Sequence, residues 1–197
     1  MKSNNIIEVS KLYKRFNGIQ AVDGIDFHVK QGELFGFLGP NGAGKTTIMR
    51  MLTGIIAPDK GKISVLGLDI SKYKLEVKKA MGIVPELSNA YIDMTAWENL
   101  MFIGALYDIN KNERQTQANE LLKKFDLYKR KDHKVKGFSK GMQKKLLICM
   151  ALISNPRILF LDEPTSGLDV ESQRLIKDLI LAYNQSGVTV FLTTHNL

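Results

Sequence analysis

The sequence predicts an α/β fold built on a parallel sheet, and three observations carry that prediction. Two near-continuous apolar runs, Ile158 to Leu161 and Val188 to Thr193, have the character of strands covered on both faces. Between them, Val170 to Tyr183 repeats apolar residues at helical spacing, with Leu175, Leu179 and Ala182 on one side. A third apolar run, Glu33 to Leu38, feeds a glycine-rich loop and then a helical stretch, Lys45 to Leu52, stopped by Gly54. Strand–loop–helix–strand order of this kind closes into a parallel sheet.

The remaining elements follow from local pattern. Ile6 to Val9, Ile25 to Val29 and Lys62 to Leu66 carry β-branched and aromatic residues and read as short strands. Turns at Asn17-Gly18, Asp23-Gly24 and Pro58-Asp59 separate them. Met81 to Val84 is another short strand, ended by Pro85. From about Thr95 to Lys124 the pattern is helical. It opens on Thr95-Ala96-Trp97-Glu98, a capping box whose hydroxyl and carboxylate satisfy orphan N–H groups. Leu121, Leu122 and Phe125 sit at helical spacing there. A basic stretch, Lys129 to Lys136, follows, and Ser139 opens a second helix that runs to about Ser154.

The 197 residues are 44% hydrophobic, enough apolar material for a core in one domain. The longest unbroken apolar run, Leu146 to Ile153, is eight residues, against about 20 for a membrane-spanning helix. The N-terminal stretch has neither an apolar segment nor a small-residue cleavage site, so no signal peptide is expected. Cys149 is the single cysteine, which excludes an internal disulfide and fits a reducing, cytosolic setting. Basic residues number 28 against 20 acidic, a net +8. Such a surface attracts nucleotides, nucleic acid or an anionic membrane face. Lysine outnumbers arginine 22 to 6, which counts against DNA reading through arginine forks.

Gly39-Pro40-Asn41-Gly42-Ala43-Gly44-Lys45-Thr46-Thr47 matches G-x-x-x-x-G-K-[ST]. Glycines let the backbone wrap closely around an anion with successive N–H groups pointing inward. The loop ends at a helix N-terminus, where free N–H groups and the dipole favour negative charge. Lys45 is then expected to reach the β- and γ-phosphates, and the Thr46 hydroxyl to ligate Mg²⁺. A second piece agrees. The run at 158–161 leads into Asp162-Glu163. An Asp ending a buried strand can hold Mg²⁺ through water, and Glu163 can orient and deprotonate an attacking water.

Three further segments accompany these two. Phe138-Ser139-Lys140-Gly141-Met142 lies one helix and one strand before Asp162-Glu163, Ser166-Gly167-Leu168-Asp169 lies just after it, and His195 ends the last apolar run. With all five in order, the sequence from Ile6 to His195 resembles the ATP-binding cassette (ABC) ATPases. The pentapeptide resembles their LSGGQ signature, Ser166 to Asp169 their D-loop, and His195 their switch histidine. The resemblance implies a P-loop NTPase, with a RecA-like parallel-sheet core, an antiparallel β subdomain and an inserted α-helical subdomain. All of 1–197 forms one cassette, the core being 1–87 and 155–197 and the helical subdomain about 88–154.

The same resemblance implies ATP and Mg²⁺ as cofactors. Phe16 stacks on adenine, and Gly39, Pro40, Asn41, Gly42, Ala43, Gly44, Lys45, Thr46 and Thr47 cradle the phosphates. Thr46, Glu86 and Asp162 hold the metal, and Lys45, Glu163 and His195 are catalytic. Ser139 and Gly141 serve the nucleotide of a second cassette, in a homodimer or heterodimer. The implied activity is ATP hydrolysis coupled to substrate export through a separate transmembrane permease, at the cytoplasmic face of the cell membrane, with no nucleic acid partner.

Three departures from the family pattern stand out. Glu86 occupies a position that is usually Gln. Its carboxylate can still ligate a metal, but it adds negative charge near the γ-phosphate. The signature reads Ser-Lys-Gly-Met, with Lys140 directed to solvent. Both features resemble an exporter-like bacterial group that serves small, separate membrane subunits. The sequence also stops two residues after His195, where family members continue, so a truncated chain is expected. In the helical segment, Trp97 is either a lobe-core residue or an anchor for a partner's groove.

Other classes fit less well. A soluble cassette acting on ribosomes or DNA would carry a second cassette or long heptad insertions, and neither occurs here. Asn110-Lys111-Asn112-Glu113 faintly resembles the guanine-reading N-K-x-D, but it ends in Glu and lies in the helical segment. A degenerate, regulatory cassette would not be expected to keep both Glu163 and His195.

Overall fold

A computed structural model describes residues 4–87 and 89–195 of the chain. Its centre is a four-stranded sheet ordered β3 (Leu34–Leu38), β8 (Thr189–Thr194), β7 (Ile158–Asp162), β6 (Met81–Val84), parallel throughout. Every residue of β7 is buried, as its apolar run requires. Side chains alternate across a strand, so Ile158 and Phe160 enter one apolar cluster while Leu159 and Leu161 enter the other.

The first cluster is closed by an antiparallel sheet, ordered β2 (Ile19–Lys30), β1 (Asn5–Phe16), β4 (Lys60–Val65), β5 (Leu68–Asp69), together with α1 (Lys45–Leu52) and α2 (Lys74–Lys79). Aromatic rings bind the two sheets together. Phe191 of β8 stands 5.4–6.2 Å, centroid to centroid, from Phe27, Phe35, Phe37 and Phe160, spacings at which ring pairs attract beyond their buried area. The second cluster is closed by α3 (Ala96–Leu106), α4 (Lys111–Lys124), α5 (Lys140–Leu152) and α6 (Val170–Gln185). Trp97 is half-buried against that cluster, with Lys131 Nζ 5.1 Å from its ring, so it packs within the helical layer.

Several local expectations change. β1 and β2 run 12 residues each, well beyond the short strands their apolar cores suggest. Irregular register at Val9/Leu12 and Lys14/Arg15 bends the hairpin, which lets lysines and an arginine interrupt the alternation. The turn is at Asn17-Gly18, with φ of 47° and 85°, both positive as a tight hairpin needs. Asp23-Gly24 is not a turn and lies inside β2. Gly24 holds φ 62° there, a backbone that favours glycine, and a Cβ would also meet Tyr13 Oη at 2.5 Å.

The helical run from Thr95 to Lys124 is two helices. Asp108, at φ 57°, ends α3, and Asn110 caps α4 by accepting from Glu113 N–H at 3.0 Å. That cap accounts for the Asn-Lys-Asn-Glu sequence in structural terms. The capping box at Thr95 and Glu98 is present as read. α6 buries Ile176 and Ile180, with Leu179 and Tyr183 partly covered, whereas Leu175 and Ala182 face outward. The stripe is offset by one residue because the neighbouring sheet, not the helix alone, selects the face. α2 and β5 carry too little apolar pattern to be read from sequence.

α5 lies directly on β6. A Cβ at Gly82 would stand 2.4 Å from the Ala151 carbonyl oxygen, a rigid backbone atom. Gly82→Ala should therefore destabilise the chain by about 1–3 kcal/mol, read as a lower urea midpoint at unchanged m-value.

Candidate functional site

Parallel strands end on one edge of their sheet, and here the residues that follow them meet. β3 leads to Gly39, β6 to Pro85 and Glu86, β7 ends at Asp162 before Glu163, and β8 leads to His195. The glycine loop between β3 and α1 needs its glycines. Gly44 caps α1 at φ 85°, and a Cβ there would stand 2.4 Å from the Ala21 carbonyl oxygen.

Lys45 is only 6% exposed. Its Nζ donates to the loop carbonyls of Gly39 (2.7 Å) and Pro40 (3.0 Å) and lies 3.5 Å from Glu163 Oε1. Asp162 and Glu163 are buried beside it. Thr193 joins them from β8. Its hydroxyl donates to Asp162 Oδ1 and accepts from Glu163 N–H at 3.3 Å. Thr46 Oγ1 reaches the same Asp162 oxygen at 3.4 Å.

Glu163 has φ 46°, an uncommon backbone for a residue with a Cβ. Its Oε2 pairs with His195 Nδ1 at 2.9 Å and accepts from His195 N–H at 3.4 Å. Its Oε1 is buried and accepts no hydrogen bond. With only the Lys45 ammonium 3.5 Å away, that oxygen keeps room for a donor such as water or a ligand.

A cleft of about 340 Å³ opens here. Six residues of the loop between Asn41 and Thr47 line it, with Ala21, Glu86 and Glu163. An adjoining cavity of about 110 Å³ is shared by Thr46, Glu86 and Asp162, with Arg50 at its side. Among the described residues no three His, Cys, Asp or Glu side chains cluster to hold a metal alone. Thr46, Glu86 and Asp162 offer oxygen only. That donor set fits a Mg²⁺ ion completed by phosphate oxygens and water.

Gly39, Pro40, Ala43, Asp162 and His195 adjoin the cleft in sequence or by contact without lining it, whereas Phe16, Ser139 and Gly141 stand on other elements. Phe16 ends β1 and is 45% exposed, with Lys14 Nζ 5.4 Å from its ring centroid. It is therefore not a core residue. Ser139 caps α5, accepting from Met142 N–H at 3.2 Å. Gly141 abuts α6: a Cβ there would meet Ser172 Oγ at 2.7 Å. Ser172 donates through its backbone N–H and its hydroxyl, both at 2.8 Å, to Asp169, the α6 cap, holding that carboxyl below its usual range. The N-termini of α5 and α6 thus sit together. Lys140 is exposed, as expected. Sequence reasoning missed Ala21 and Thr193. A hydroxyl inside the apolar run 190–193 was the available signal for Thr193, whereas Ala21 carries none.

The chain has relatives among known proteins and solved structures. The family described as "ABC transporter" matches residues 22–166. The linearmycin resistance ATP-binding protein LnrL of Bacillus subtilis is 38% identical over 190 residues, covering 96% of this chain and 61% of the relative. The Nod factor export ATP-binding protein I of Burkholderia thailandensis is 39% identical over 189 residues, covering 96% and 62%. The chain therefore spans about three fifths of the length of these curated relatives. Among solved structures, cbiO1 from Clostridium perfringens, part of the ABC transporter complex cbiONQ, has a TM-score of 0.87 at 27% identity, covering 98% of this chain and 80% of that one.

Thr193→Val keeps the shape and removes the hydroxyl shared by Asp162 and Glu163. It should cost about 1–3 kcal/mol of stability, measured by denaturant unfolding. Thr193→Ser should recover most of the loss.

Proposed function

The chain belongs to the ABC transporter family, and from that premise we propose that it is the ATP-binding and ATP-hydrolysing subunit of an exporter, driving substrate through a separate membrane permease. One observation carries the proposal. The parallel sheet gathers Lys45, Thr46, Asp162, Glu163 and His195 around a single loop-lined cleft. The buried Glu163 carboxylate, held by His195 on one oxygen and facing the Lys45 ammonium on the other, favours an active cassette over a degenerate one.

The residues divide the work. Lys45 exchanges the carbonyls of Gly39 and Pro40 for phosphate oxygens, moving between charge-assisted partners without leaving its pocket. Loop N–H groups and the α1 N-terminus hold the rest of the polyphosphate. Thr46, Asp162 and Glu86 hold Mg²⁺, which when bound screens phosphate charge. Glu163 accepts a proton from the attacking water at Oε1, while His195 fixes Oε2. Phe16, exposed at the hairpin tip, is free to stack on adenine. Ser139 and Gly141 lie off this cleft, which supports a role toward a second cassette's nucleotide, offered at the α5 N-terminus. The division into a core of 1–87 and 155–197 and a helical subdomain of about 88–154 belongs to the same reading.

Export is supported by the relatives, one named for Nod factor export and one for linearmycin resistance. A position at the cytoplasmic face of the membrane follows from the permease partner. Among the described residues no helix is long and apolar enough to cross a membrane. Co-purification with a multi-helix membrane protein is the expected result. Recovery with ribosomes or DNA, and no such protein, would overturn the transport reading.

Lys45→Ala should lose ATP binding by at least about tenfold, since it removes the charge-assisted phosphate contacts, read by titration of ribose-labelled ATP. Glu163→Gln should bind ATP within about twofold of the parent yet hydrolyse it about 10²–10⁴-fold more slowly, the usual weight of a general base. Hydrolysis at the parent rate in that variant would remove Glu163 from the role of base.

A further inference from the structure

The close packing of α5 on β6 leads to a residue that the site description leaves unused. Gly82 touches the backbone at Ala151. Further along, Leu147 and Ala151 share a cavity with Ile83, Val84 and Pro85. The helix therefore runs antiparallel to the strand, and one helical turn before Leu147 the same face carries Lys144. The strand side of this progression ends at Glu86, which lines both the phosphate cleft and the adjoining cavity shared with Asp162.

Lys144 is 9% exposed, an unusual burial for lysine. Burial lowers its pKa, and Glu86 and Asp162 pull in the opposite direction. Among the described residues it forms no ion pair within 4 Å, yet both carboxylates act on its charge from the edge of the sheet that α5 overlies. Arg50 shares a cavity with the same carboxylates but is exposed, where water and salt screen its charge. Lys144 is not screened in this way. A carboxylate at position 86 adds negative charge beside a polyphosphate, and a buried cation on the opposing helix offsets it.

We propose that Lys144 is a positioning residue for the phosphate cleft: a buried counter-charge, carried by α5, that offsets Glu86. The proposal rests on the ATP-binding reading of that cleft. Of the two carboxylates that act on it, Glu86 is the one that Gln would leave neutral.

A double-mutant cycle on the whole chain tests it, with Lys144→Met and Glu86→Gln, alone and together. Binding of ribose-labelled ATP is measured without Mg²⁺, where uncompensated carboxylate charge is felt most. Lys144→Met should weaken binding about fivefold or more in the parent, less than about twofold in the Glu86→Gln background, and Lys144→Arg should stay within about twofold of the parent. Equal losses in both backgrounds, or no loss, would overturn the pairing. Thermal unfolding of the nucleotide-free variants gives an arm that needs no ATP. Unequal midpoint shifts from Lys144→Met in the two backgrounds support the pair, and equal shifts overturn it. If the parent itself fails to bind ATP, the cleft reading falls and the thermal arm still decides the pair. Should Lys144→Met not fold alone, folding of the double variant supports the proposal and failure of both overturns it.

Discussion

All strands of the central sheet point the same way, and the site depends on that constraint. Parallel strands place their C-terminal ends on one edge, so residues from distant parts of the sequence arrive together. Asp162 pairs with Thr193 in the β7–β8 register, and Leu38 pairs with Thr194. The Thr193 hydroxyl turns that register into chemistry by bridging Asp162 and the backbone of Glu163. Without it, Asp162 would keep only the longer contact from Thr46, and the Glu163 N–H only the Thr193 carbonyl.

Buried charge is the second theme. Lys45, Lys144, Asp162 and Glu163 are all at least nine-tenths covered. Taking such groups from water is costly unless they are paired or hydrogen-bonded. Lys45 is held by two carbonyls and faces Glu163, and Glu163 is held by His195. These contacts hold Lys45, Glu163 and His195 close together at one edge of the sheet.

Much of this was legible from the residues themselves. The loop at 39–47 was legible because only glycines allow a backbone to fold around an anion, and Gly44 is required by the Ala21 carbonyl. The buried strands were legible because a two-faced burial needs an unbroken apolar run. The caps at Thr95 and Ser139 were legible because capping is local chemistry. The long hairpin, the break between α3 and α4, and the buried face of α6 were not. The hairpin and the α6 face depend on neighbours across the fold, a strand across a bulge and a sheet that chooses Ile176 over Leu175, while the α3–α4 break rests on local hydrogen bonds that the apolar pattern does not reveal.

The sequence by itself determined the α/β class, the phosphate loop, the acidic pair after β7 and the histidine after β8, because each is written in contiguous residues under a local physical demand. Only the tertiary structure decided that Thr193 joins the acidic pair, that Ser139 and Gly141 stand away from the cleft, and that Lys144 lies along α5 toward Glu86. Those relations come from strand register and helix-on-strand packing, which bring together residues separated by dozens of positions. No local pattern encodes such a distance.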